Sequence, residues 1–125
     1  MTKTRKTASS FLLQGHEVPP ADVRWGQVSD VLDFFQILGT FAKAGHVNTE
    51  LLYKFFYYWL SNYWKACEGH VKVTQLSSPM TWGDAKWLYE SLRAFDQRNN
   101  FGLLSDPSSE KMSVFFQWEY ENLSA

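Results

Sequence analysis

Three histidines, one cysteine and thirteen acidic residues are the groups with which this 125-residue chain could do chemistry. Their spacing decides how much. Cys67-Glu68-Gly69-His70 sets a thiol and an imidazole close enough to share a metal ion. Yet a tetrahedral site needs three or four such ligands, and a lone cysteine builds no thiolate cluster. The plainer reading is a small buried residue at a helix end, followed by a turn histidine whose charge suits the helix dipole. No basic group is forced beside Cys67, so it carries no mark of a nucleophile. His16, His46 and His70 fall in or beside expected turns, far apart in sequence. Asp30 and Asp33 stand one turn apart on an expected helix, where paired carboxylates could exchange protons but here are expected to face water. Asp84 reads as a helix cap. The chain has no glycine-rich phosphate loop, no H-E-x-x-H and no G-x-S-x-G. The expectation is therefore no enzyme: no catalytic residues, no cofactor and no metal.

The elements that must position these groups are helical. Pro19-Pro20 divides a basic amino-terminal stretch, residues 1–19 with Lys3, Arg5 and Lys6, from a single helical domain over 20–125. That stretch is expected to be a flexible, solvated tail. Asp22 or a neighbour opens a first helix of about twenty residues that ends near Gly45. Val28, Val31, Leu32, Phe35, Leu38, Gly39 and Ala42 share one face of it, while Ser29, Asp33, Gln36, Thr40 and Lys43 share the other. Phe34, Ile37 and Phe41 widen the apolar arc beyond a minimal stripe. Gly45 suits a left-handed C-cap, and Asn48 or Thr49 caps the next helix. So short a turn makes the first two helices an antiparallel hairpin.

The second helix holds LLYKFFYYWLSNYW, Leu51 to Trp64. Leu52, Phe55, Phe56, Trp59, Tyr63, Ala66 and Cys67 share its expected core face, and Glu50, Lys54, Ser61, Lys65 and Glu68 a narrow polar strip. Tyr53, Tyr57, Leu60 and Trp64 lie on one flank, Leu51 and Tyr58 on the other. With a wet edge of this kind it does not read as a membrane span, which needs about twenty apolar residues. Gly69 is expected to end this helix, leaving VKVTQLSSPM extended or irregular. Thr81 and Asp84 form a T-x-x-D capping box for a third helix with core line Ala85, Leu88, Leu92 and Phe95, and a charged face at Lys86, Glu90 and Arg93. Asn99 or Asn100 ends it, and Gly102 and Pro107 mark a turn. Ser108 or Ser109 then caps a shorter helix with Met112, Phe115, Phe116, Tyr120 and Leu123, interrupted by Glu119. The fold class is all-α, a small bundle of about four helices.

Composition narrows the function. A net charge of −1 and a pI near 6.3 argue against a nucleic-acid binder. Aromatic residues make up 18% of the chain, far too many for disorder of its body. The short apolar run Phe11-Leu12-Leu13 is no secretory core, and the sequon Asn122-Leu123-Ser124 has no meaning without secretion, so the expected location is cytoplasmic. Tyr and Trp gain most at protein contacts, because an apolar body ends in a hydrogen-bonding tip. Tyr53, Tyr57, Tyr58 and Trp64 are the candidate partner-contact residues on that ground.

The run VLDFFQILGTFAKAGHVNTELLYKFFYYWLSNYWKAC, from Val31, resembles the small bacterial helical family DUF4760, a domain of unknown function. The likeness rests on V-L-x-F-F-x-x-L, on the turn G-H-V-N-T-E and on L-L-Y-x-F-F with its late Y-W. Asn48 stands where that family commonly has an acidic residue. An amino-terminal membrane helix, carried by many of its members, has no counterpart here. The resemblance implies an all-helical fold and brings no activity or site residues. The expected function is a protein–protein interaction or self-association module, with a homo-oligomer or protein partner. The alternative is a sensor or carrier of an apolar or aromatic small molecule held between helices.

Overall fold

The computed structural model describes residues 25–99, 101 and 109–122. Four helices occupy them: α1 Trp25–Lys43, α2 Thr49–Ser77, α3 Gly83–Arg98 and α4 Ser109–Asn122. Among the described residues there is no strand. The fold is all-α, as the three-and-four spacing requires. The basic tail, the opening at Asp22 and the turn at Gly102 and Pro107 lie outside the described residues, as do His16 and Leu123.

The hairpin turn forms from the residues expected to make it. Gly45 takes φ +83°, its N–H donates to Ala42 O, and the His46 N–H reaches back to Phe41 O. That pair of bonds is a Schellman motif, and the Phe41 and His46 rings close over it with centroids 6.4 Å apart. Asn48, in an extended conformation, accepts the Glu50 N–H at 2.7 Å and so caps α2. Rings then bridge the two helices: Phe34 to Phe56 and Trp59, Phe35 to Trp59 and Tyr63. With a five-residue connection, only an antiparallel hairpin brings those positions together.

α2 does not stop at Gly69. It runs on through Val71, Thr74 and Gln75 to Ser77, about 43 Å in all, where an extended connection was expected. The reason is tertiary. Val71 is buried, the His70 ring lies 5.6 Å from that of Trp82, and Gln75 Nε2 donates to Thr81 O at 2.8 Å. These contacts outweigh the cost of a mid-helix glycine and the extended preference of β-branched residues. Pro79, disfavouring helix at Ser78, sets the actual end. α3 returns antiparallel along α2: Tyr53 meets Asp96 and Phe95, Trp64 stacks on Tyr89, and His70 meets Trp82.

The start of α3 departs from the capping box. Its N-cap is Trp82, in the left-handed region at φ 57° and without a side-chain cap. The first amides of α3 are instead taken from another helix. Gln36 Oε1 on α1 accepts from Asp84 N at 2.9 Å and from Ala85 N at 3.0 Å. The Asp84 carboxylate turns to α1, accepting from the Thr40 hydroxyl at 2.7 Å and pairing with Lys43 at 3.5 Å. Asp33 accepts from the Trp82 indole at 2.7 Å. The supposed wet face of α1 is thus the joint that holds α3, and Gly39, buried there, lets the backbones approach closely.

Two compact units emerge. One, Leu32–Pro107, contains the body of α1 with α2 and α3. Leu32, Phe35, Leu52, Leu60, Tyr63, Cys67, Leu88 and Leu92 are buried in it. The other unites the chain through Val31 with 108–125, and so contains α4. Val28, Val31, Phe115, Phe116 and Glu119 are buried there. Glu119 is thus an inward residue of α4, while Tyr120 of the expected stripe faces out.

Candidate functional site

The groups with chemical potential take structural posts. Cys67 is fully buried, and burial drives its thiol pKa far above the ordinary range. His70, one turn on, lies against the Trp82 ring, and partial burial lowers its pKa. Asp30 is exposed and Asp33 serves the Trp82 indole, so the two are not a working pair. Among the described residues no group of three or more His, Cys, Asp or Glu could hold a metal ion.

The four ring residues expected at a partner surface part company. Tyr53 is buried: its hydroxyl donates to Asp96 at 2.5 Å, and burial, then that bond, raise its pKa. Trp64 is buried against Tyr89, rings 5.9 Å apart. Both belong to the α2–α3 packing. Tyr57 is half-buried and stacks on Tyr53 at 5.0 Å, and Tyr58 is exposed with its ring 6.2 Å from that of Tyr57. The core face moves correspondingly. Phe55, expected inside, is 75% exposed, while Phe56 and Trp59 are half-buried against α1. The strip expected to be wet is wet only at Glu50 and Lys54; Ser61 is buried, and Lys65 and Glu68 pair half-buried at 3.1 Å.

What the fold leaves outside is a different surface. On α1, Asp33, Gln36 and Thr40 face α3 and Phe34 and Phe35 face α2, so Ile37 and Phe41 continue the Phe34 row on the side away from α3. On α2, Tyr53 and Trp64 face α3 and Phe56, Trp59 and Tyr63 face α1. Leu51, Phe55 and Tyr58, spaced four and three apart, therefore fall on that same outer side. Ile37, Phe41, Leu51, Phe55 and Tyr58 are each half to three-quarters exposed, and the Phe34–Phe56 contact packs the two helices beneath them. No charge interrupts either row. Glu50 and Lys54, paired at 3.5 Å, stand at the rim. The over-wide apolar arc of α1 and the Leu51–Tyr58 flank of α2 were the signals in the sequence; the placement of Phe55 was not among them.

The match to DUF4760, domain of unknown function, extends over residues 4–92. It takes in the hairpin, its turn and the first ten residues of α3. Comparison with curated proteins and with solved structures found no match. With most of its length matched, the chain belongs to the DUF4760 family.

Proposed function

We propose that this protein is a non-enzymatic interaction module that docks through the outer face of its α1–α2 hairpin. One observation carries the reading: five large apolar side chains, from two helices, stand exposed together with no charge among them. At roughly 200 Å² per side chain their exposure amounts to about 550 Å², the upper range for the largest patch of a monomer. Isolated exposed apolar residues need no explanation, but five on one side of a helical hairpin do. A lone buried cysteine fits a reducing setting such as the bacterial cytoplasm. The test is site-specific photo-crosslinking in the host, with a benzophenone side chain at Phe55 and, as control, at exposed Glu90 on α3. A defined protein adduct from position 55 alone supports the reading. Equal yields at both positions, or none, sink it.

A second reading, a small-molecule carrier, draws on Asn62. Its amide nitrogen bonds to Tyr58 O, whereas its side-chain oxygen is buried without a hydrogen-bond partner. A ligand donor directed at that oxygen would satisfy it. Native mass spectrometry of the chain from its own host distinguishes the two: a co-purifying small mass lost in Asn62→Leu supports the carrier, and a bare chain removes it.

A further inference from the structure

We infer that the partner at the outer hairpin face is a second copy of this chain, an inference that rests on the docking reading above. A two-fold interface must be self-complementary, each surface matching its own rotated image. The rim of this face has that property. Glu50 and Lys54 lie one turn apart on α2 with 56% and 63% of their side chains exposed. When two α2 helices cross antiparallel about an axis near position 53, Leu51 of one copy falls opposite Phe55 of the other. Lys54 of each copy then falls beside Glu50 of the other, turning two weak internal pairs into a four-charge cluster. Between the rims stand the apolar Ile37, Phe41, Leu51, Phe55 and Tyr58, and the exposed Asp30 lies one turn before Phe34 at the end of the α1 row. The area agrees. The patch of about 550 Å², with its polar rim, approaches the roughly 800 Å² per partner of a standard interface. An interface of this size fits a reversible dimer.

An exposed apolar site elsewhere on α2 supplies the control. Leu76 and Met80, 85% and 89% exposed, lie at the far end of α2 and in the turn after it, more than five helical turns from Leu51. The experiment is sedimentation equilibrium on the full chain, with circular dichroism of each variant to show the fold intact. The wild type is expected to dimerise at about 50 μM or below. Phe55→Glu leaves it monomeric and Leu76→Glu leaves the dimer unchanged. Lys54→Glu gathers four like charges at the rim and weakens association ~10-fold or more, and the double reversal Glu50→Lys with Lys54→Glu restores it. Failure to restore overturns the two-fold pairing, as does a dimer lost in Leu76→Glu but kept in Phe55→Glu. A monomeric wild type whose position 55 still crosslinks to another protein overturns the second copy and leaves the docking reading standing. No self-association and no crosslink at position 55 sink both.

Discussion

Gly39 sits where α1 meets the start of α3, and a side chain there would run into the backbone carbonyl of Asp84. Backbone, unlike a flexible side-chain end, cannot step aside without moving a helix. Gly39→Ala is expected to destabilise by about 3 kcal/mol or more, read by urea unfolding, although alanine is the better helix former. The same scale separates two rings that look alike in sequence. Trp64, packed on Tyr89, should cost roughly 3–5 kcal/mol on truncation to alanine. Phe55, mostly in water, should cost less than about 1 kcal/mol. A reversal of that order would place Phe55 in the core and remove the outer patch. Cys67 should resist a thiol-reactive probe in the native protein and react only on unfolding, because its thiol is fully buried and its pKa is driven up.

Helices show which of their ends are local affairs. The α1–α2 turn is one: Gly45 and Asn48 satisfy the orphan amides and carbonyls with their own neighbours, and both were legible as caps. The start of α3 is not, because its cap comes from Gln36, nearly fifty residues earlier. Gln36→Leu leaves two amides of α3 without that acceptor and should cost about 1–2 kcal/mol. Thr81→Val should cost much less, since Thr81 does not cap α3 through its side chain. Were Thr81→Val the worse of the two, the cap would be local after all. Gly69 gives the sharpest contrast. As a helix terminator it would resist replacement, but inside α2, with open space where a Cβ would stand, Gly69→Ala should stabilise by about 0.5–1 kcal/mol, seen as a raised melting temperature.

At the scale of the whole molecule, stability should depend on pH through His70. Burial lowers its folded pKa below the ordinary 6.5, so the unfolded chain takes up its proton first as pH falls. The contribution is fully present above pH 6.5 and is lost as the solution is acidified through the window beneath it. The melting temperature should therefore fall between pH 7 and 5, and His70→Gln should flatten that slope; an equal slope in the variant would assign it to other groups. No helix among the described residues is long and apolar enough to cross a membrane, although α2 is 29 residues long. That much follows from its composition, where Lys54, Lys65, Glu68 and Lys72 interrupt the rings. The sequence by itself determined the helical class, the hairpin and its caps, because periodicity and local hydrogen bonding act over three to five residues. Which aromatic face lay inside was decided by the tertiary structure. A helix apolar around most of its girth offers several candidate core faces, and only the joint of α1 with α3 and the return of α3 along α2 chose between them. Tyr53 and Trp64 went inward on the α3 side, and Phe55 was left outside with Leu51 and Tyr58. Contacts between residues more than forty positions apart made that choice, and no local pattern carries them.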